Sequence, residues 1–144
     1  MHTSLTKTRK WSQELYEKAS EFHGHSGLFL AAGLRMGLLA LKKLDSKGWF
    51  DMQCKVRLRW SPPDSCVIDG LQISTGCTMG KHNISVEERD GVSSKFEHEG
   101  HSAEIALREN ILGMIRGCID HEDDTTQILE FVSSAPDEEL FEVT

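Results

Sequence analysis

The chain has 144 residues and a formal net charge of -7, with a sequence pI near 5.5. That length suits a single domain with a real hydrophobic core, spanning 1–144. The acidic balance argues against nucleic acid as a partner. The acids crowd the end of the chain. Asp120, Glu122, Asp123, Asp124, Glu130, Asp137, Glu138, Glu139 and Glu142 follow one another with no Lys or Arg after residue 118, which reads as solvated surface. Four cysteines without Cys-x-x-Cys spacing, and no secretory leader, lead to the expectation of a reducing, cytoplasmic setting.

Residues 1–10 are polar and basic, and fraying is expected there. Trp11, Leu15, Ala19 and Phe22 recur at helical spacing behind Ser12, so the first helix is predicted there. His23-Gly24-His25 breaks it. Residues 27–44 are almost continuously apolar, too short for a membrane span and interrupted by Arg35, which predicts a central buried helix. Arg35 either snorkels or pairs with a core carboxylate, or it reaches Asp69. Gly33 and Gly37 leave a flat strip on that helix for close backbone approach.

Met52, Cys54, Val56, Leu58 and Trp60 alternate with polar residues, and Pro62-Pro63 follows. This predicts a strand with one buried face. Ile84 and Val86 open a second strand. Asp90-Gly91 suggests a hairpin returning over Val92 to Glu99. His98 and His101 fall at its end. Ser102 is expected to cap a helix with the stripe Leu107, Ile111, Met114, Ile115 and Cys118. Asp124-x-x-Gln127 resembles a capping box for a short helix, and Pro136-Asp137 starts a final helical turn. The fold class is α+β, a small, mostly antiparallel or mixed sheet packed with helices.

The chemistry concentrates between Ser65 and Lys81. Val67, Ile68, Leu71 and Ile73 leave Asp69, Gln72 and Thr75 on another side of one short helix, with Asp64 or Ser65 placed to cap it. Gly76 stops it. Gly76 and Gly80 flank Cys77-Thr78-Met79, a turn able to aim N–H groups at an anion or at a Cys77 thiolate, with Lys81 beside it. Cys66, in the first turn, would feel the positive helix end, which lowers a thiol pKa. His23 and His25 would face apart on a helix but together on a turn, which Gly24 permits. A mixed His/Cys set suits a divalent metal, most simply zinc. Cys66 and Cys77 would stand about 16 Å apart along a straight helix, so one ion takes both only if the chain doubles back or a second copy contributes one.

Phe22-His23-Gly24-His25, Gly33-Leu34-Arg35-Met36-Gly37, Asp69-Gly70-Leu71-Gln72, Thr75-Gly76-Cys77-Thr78, Gly80-Lys81 and Asn83 together resemble the FmdE family, named for the E component of molybdenum formylmethanofuran dehydrogenase. The resemblance spans roughly residues 12 to 142. It implies an α-β-α-β(3)-type core, a homodimer, and a Cys/His site able to hold a metal. His23, His25, Cys66 and Cys77 are then the candidate ligands, with Asp69, Gln72 and Thr78 as further binding residues and Cys77 and Lys81 as candidate catalytic groups. Two positions depart from the family pattern. Gly27 stands where a Cys is usual, and His82 follows Lys81 where a Gly is usual. The family's C-terminal zinc ribbon is not seen before Thr144.

Three readings follow. In the first, the protein is a metal-binding accessory or redox-associated partner of a molybdenum or tungsten oxidoreductase. The second is a free-standing enzyme acting through an open metal site or the Cys77 thiolate on a small anionic ligand held by Lys81. In the third, the polar cluster only ties helix ends together.

Overall fold

The structure, a computed structural model, describes residues 9–144, so the fraying expected at the start of the chain lies, for residues 1–8, outside the described part. Arg9 is already fixed, its guanidinium 4.1 Å from the centre of the Trp49 ring.

Helix α1 (Gln13–His23) starts where the Ser12 hydroxyl accepts the Leu15 N–H at 3.0 Å. Tyr16 and Ala19 face inward, while Phe22 is exposed. Helix α2 (Leu28–Leu44) is buried at every residue from Leu28 to Leu41. Its Gly33 and Gly37 lie against helix α3 (Cys66–Thr75). A Cβ on Gly33 would stand 2.2 Å from the Val67 carbonyl oxygen, and one on Gly70 2.4 Å from that of Leu30. The two helices therefore cross in backbone contact, which only glycine allows. The flat strip serves α3 of the same chain. Within one chain α1, α3, the sheet and the C-terminal helices cover α2, so a second copy would have to use other surface, such as the polar face of the sheet.

The sheet has five strands: β1 (Gln53–Leu58), β2 (Ile84–Glu88), β3 (Ser93–His98), β4 (His101–Leu107) and β5 (Phe141–Val143), in the order β2-β1-β3-β4-β5. Strands β1 and β2 are parallel, and the rest are antiparallel. The β1–α3–β2 passage is a crossover unit, so β2 and β3 are separated by β1 and the Asp90-Gly91 hairpin does not form. Asp90-Gly91 is a bend between strands that flank β1. The tight hairpin lies at Glu99-Gly100, with φ of 48° and 81°. One sheet face carries Cys54, Val56 and Leu58 into the core. The other is polar, with Arg57 between Glu87 and Glu104.

Three further expectations are corrected. Residues 101–107 form β4, so Ser102 caps nothing. Ala103, Ile105 and Leu107 alternate inward, and this period of two decides over the helical spacing that also ran through Leu107. Helix α4 (Glu109–Asp120) begins after it, with Ile111, Leu112, Ile115 and Cys118 buried. Asp64 does not cap α3. Its carboxylate accepts two hydrogen bonds from Arg116, at 3.0 and 2.8 Å, with only 4% of the side chain exposed. The turn before helix α5 (Thr126–Ser134) lacks the reciprocal Gln127 bond. Asp124 instead accepts from the Thr126 N–H at 2.9 Å. Helix α6 (Asp137–Leu140) then leads into β5.

Arg35 points to the C-terminal end of α5. It donates to Val132 O at 2.8 Å and to Asp137 Oδ1 at 3.0 Å, and also bonds Ala135 O. Its pairing with a carboxylate is therefore structural, and Asp69 is free for other work. Among the described residues, no helix is long and apolar enough to cross a membrane.

Candidate functional site

Gly24 closes α1 in the left-handed conformation, φ 100°, its N–H returning to Ser20 O at 2.8 Å. That turn swings His25 back over the helix end. The His23 and His25 rings stand 4.5 Å apart at 65°. A histidine pair that a continuous helix would splay is thus brought together by one glycine.

Helix α1 rests on α3, which brings His23 Nδ1 to 2.6 Å from Asp69 Oδ2. A carboxylate only accepts, so Nδ1 carries a proton, and in the neutral ring Nε2 keeps its lone pair. Nε2 is buried and has no hydrogen-bond partner among the described residues. Asp69 is itself oriented by Gln72, whose amide donates to Oδ1 at 3.4 Å. The Gln72 carbonyl accepts the Met79 N–H at 3.3 Å, tying this line to the Cys77 loop. His25 Nδ1 bonds the Ser26 carbonyl oxygen at 2.8 Å, so its Nε2 also presents a lone pair.

Cys66 opens α3, half-buried, near Asp69 and Asp64. Burial, and then those two carboxylates, push its thiol pKa up. Burial first, and the two carboxylates after it, thus override the lowering expected from its position at the helix start. Cys77 is fully buried at the other end of α3, its Sγ 3.6 Å from Met52 O. Burial pushes its thiol up too, against the Thr75 hydroxyl and the positive charges of Lys81 and Arg9. Since α3 runs unbroken between them, the two thiols of one chain do not meet at one ion.

The Cys77–Lys81 loop is folded on itself. The N–H groups of Cys77, Thr78, Met79 and Lys81 bond Thr75 Oγ1, Asn83 Oδ1, Gln72 Oε1 and Thr78 Oγ1, and that of His82 bonds Met79 O. These donors, expected to form an anion cradle, are spent on acceptors in the loop and the residues flanking it. Lys81 Nζ stands 3.5 Å from Thr78 Oγ1 and 5.6 Å from the centre of the exposed Phe50 ring. Gly76 has φ 80°, as the helix stop requires. His82, where the family pattern has Gly, adopts a left-handed φ of 62°.

The structure thus joins His23, His25, Asp69 and Gln72, places Cys66 beside Asp69, and leaves Cys77, Thr78 and Lys81 at the far end of α3. Two contributors were not singled out for any role by spacing. Asn83 donates to Trp49 O and Met52 O at 2.6 and 3.1 Å and so locks the loop to β1. Asp51 meets His98 across 47 positions, a separation at which no local signal exists.

Comparison with known proteins bears on the family and the fold. The family model described as FmdE, molybdenum formylmethanofuran dehydrogenase operon, matches residues 22–142. A crystal structure of a tungsten formylmethanofuran dehydrogenase FmdE-like protein from Syntrophus aciditrophicus superposes with a TM-score of 0.69 at 20% identity, covering 92% of this chain and 70% of that one. A probable S-adenosyl-L-methionine-binding protein of Archaeoglobus fulgidus is 37% identical over 70 residues, which is 46% of this chain but 19% of that protein. The matched stretch therefore spans about a fifth of that relative's length. With the family match running from Phe22, beside the histidine pair, to Glu142 in the last strand, the chain belongs to the FmdE family.

Proposed function

We propose that the protein is a metal-binding FmdE-family protein that works as an accessory or redox-associated partner of a molybdenum or tungsten formylmethanofuran dehydrogenase-type oxidoreductase. The observation that carries the metal reading is His23. Its Nδ1–H is anchored on Asp69 while its buried Nε2 has no partner. A buried polar nitrogen left unpaired is costly, and a carboxylate behind the far ring nitrogen is the support a metal-ligating imidazole ordinarily has. The residues present fit a divalent ion, for which zinc suits the imidazole donors. His23 and His25 would hold it; Cys66 lies near Asp69 but does not form with the two histidines a group of donors within 4.8 Å, so it would join them only after a shift. Such an ion would supply Lewis acidity and, with three or fewer protein ligands, an open position. The chain's own part is to hold the imidazoles in one tautomer through Asp69 and Gln72.

No specific observation favours a free-standing enzyme built on Cys77 and Lys81. The thiol is buried, pushed toward its neutral form and aimed at a carbonyl oxygen. A homodimer remains part of the proposal. Its surface would use exposed side chains near the site, Phe22 and Met79, instead of the covered α2.

The test is metal content of protein purified without a His tag, measured by plasma mass spectrometry. The His23 site is expected to contribute about one divalent ion per chain beyond any held elsewhere, a contribution lost in His23→Ala and weakened about 10–100-fold in Asp69→Asn, as for other outer hydrogen-bond partners of ligating histidines. Equal metal content in wild type and His23→Ala would remove the reading. Light scattering and gel filtration with a purified dehydrogenase test the two partner claims.

A further inference from the structure

A second group of possible ligands lies away from the histidine pair, where the Trp49–Asp51 turn meets the β3–β4 hairpin. Asp51, His98 and Glu99 each present one donor atom, and the three lie within 4.8 Å of one another. Among the described residues they are the one such group of three. His98 ends β3, with 10% of its side chain exposed. Its Nδ1 is 2.7 Å from Asp51 O. A carbonyl oxygen only accepts, so Nδ1 carries the proton and Nε2 the lone pair. That nitrogen faces Glu99 Oε2 at 3.6 Å, too long for a hydrogen bond.

Asp51 Oδ2 lies 3.4 Å from Nδ1 and Glu99 Oε2 3.6 Å from Nε2, so two carboxylates gather about one imidazole. Such a cluster is favoured by a positive charge, which a proton on the ring or a bound cation supplies. Asp51 is held for the purpose. Its Oδ2 accepts from the Ser46 hydroxyl at 3.1 Å and lies 3.4 Å from the Lys47 N–H, leaving Oδ1 uncommitted. Glu99 occupies a left-handed turn position and has a largely exposed, movable side chain. A surface cavity of about 380 Å³, lined by Phe50, Asp51, Gln53, Glu97, His98 and Glu99, opens beside the group.

We infer that Asp51, His98 and Glu99 form a divalent-cation site distinct from the one at His23. One imidazole nitrogen with two carboxylate oxygens suits an ion of intermediate hardness such as Zn²⁺. Calcium, which takes six to eight oxygen ligands, is the wrong match. Metal bonds of about 2.0–2.2 Å keep ligand atoms within about 4.4 Å of each other. Closure needs a shift of a few tenths of an ångström, which Glu99 is free to make. Three protein donors leave one or more positions for water or an anion entering from the cavity.

The experiment is calorimetric titration of the full-length, tag-free chain with Zn²⁺ in a His23→Ala background, so that failure of the first site cannot be confused with failure of this one. One Zn²⁺ per chain is expected. Glu99→Gln, at an exposed side chain where folding is not at stake, lowers the affinity at least about 10-fold, and Asp51→Asn does the same. Ca²⁺ gives no comparable heat. Two results overturn the inference: no Zn²⁺ binding in the His23→Ala protein, or an affinity that Glu99→Gln and Asp51→Asn leave within about twofold.

Discussion

Replacing Gly27 by cysteine asks whether this chain has a family metal site short of one thiol. Gly27 precedes α2 with φ 179° and ψ 166°, an extended conformation open to any residue. A Cβ built there meets nothing closer than His25, at 3.8 Å from Cε1 and 3.9 Å from Nδ1. The added side chain therefore starts in ordinary contact with the imidazole it would join. It also sits at the N-terminal end of α2, where the helix favours a thiolate. A structural zinc site of four ligands is worth about 10–16 kcal/mol, or roughly 3 kcal/mol per ligand. One added thiolate should thus tighten zinc by about two orders of magnitude. The assay is competition with a chromogenic chelator at neutral pH under reducing conditions, followed by Co²⁺ substitution to look for a thiolate charge-transfer band. Folding should not suffer, since glycine replacement at an unstrained position commonly adds about 0.4–1 kcal/mol of stability. Zinc affinity within about twofold of wild type, in a variant that melts no lower, would refute the placement of the site. So would a gain that survives His25→Ala.

Three other outcomes follow from the packing. Gly76→Ala should lower the melting temperature, because φ is 80° and the new Cβ would stand 2.5 Å from Trp49 Cδ1; Gly113→Ala, exposed on α4 with open space around it, should raise stability by up to about 1 kcal/mol. Equal melting temperatures for the two would count against the turn. Ser74→Val is no control here, since Ser74 is fully buried and its hydroxyl bonds Gly70 O. Arg116→Leu strands the buried Asp64 carboxylate and should cost about 3 kcal/mol in chemical denaturation, the low end for a broken buried pair because Arg116 is partly exposed; a loss under about 0.5 kcal/mol would contradict the pairing. At Asp137 burial opposes ionisation, but hydrogen bonds from Lys42 and Arg35 outweigh it and hold the pKa below the ordinary value. A depressed folded-state pKa contributes stability above the unfolded value and loses it as pH falls through the folded one. The stability advantage over Asp137→Asn should be constant from about pH 7 to 5 and shrink below about pH 4. An advantage unchanged at about pH 3 would mean the carboxylate is not engaged.

The helices were legible because their signals are local. Ser12, Gly24 and Gly76 are caps read from single residues, and the apolar run of α2 allowed one interpretation. Strand pairing was not local. Ile84 and Val86 identify a strand but carry no mark of their neighbour, and Asp90-Gly91 has the composition of a hairpin turn. What decides is the crossover through α3, which delivers β2 parallel to β1 so that β1 fills the position beside β3. Residues 101–107 fit both periods, since Leu107 belongs to an inward alternation with Ala103 and Ile105 and to a helical stripe with Ile111. Only the edge of the existing sheet, where β3 offers free backbone groups, resolves the choice. Strand β5, three residues long, is too short to show any period.

The site divides along the same line. His23-Gly24-His25 and Asp69 stood out because neither belongs on an apolar stripe, and the docking of α1 on α3 is what brings them together. The Cys77 loop stood out for an equally good reason, its flanking glycines. Yet Gly76 is used to end a helix, and the loop beyond it bonds itself. Composition marks where backbone is unusual; it does not say whether the freed N–H groups face a ligand or one another. That depends on acceptors such as Asn83 and Gln72, which lie outside the turn and are indistinguishable in sequence from surface amides. The difference is visible in what is left over. In the Cys77 loop the N–H groups of Cys77, Thr78, Met79, Lys81 and His82 find acceptors, whereas at the histidine pair the buried Nε2 of His23 does not. A cluster built only to tie helix ends together would be expected to satisfy that nitrogen, as Arg35 satisfies the end of α5. Its solitude, with Asp69 fixing the opposite side of the ring, is the physical reason to look for the metal there and not at the loop.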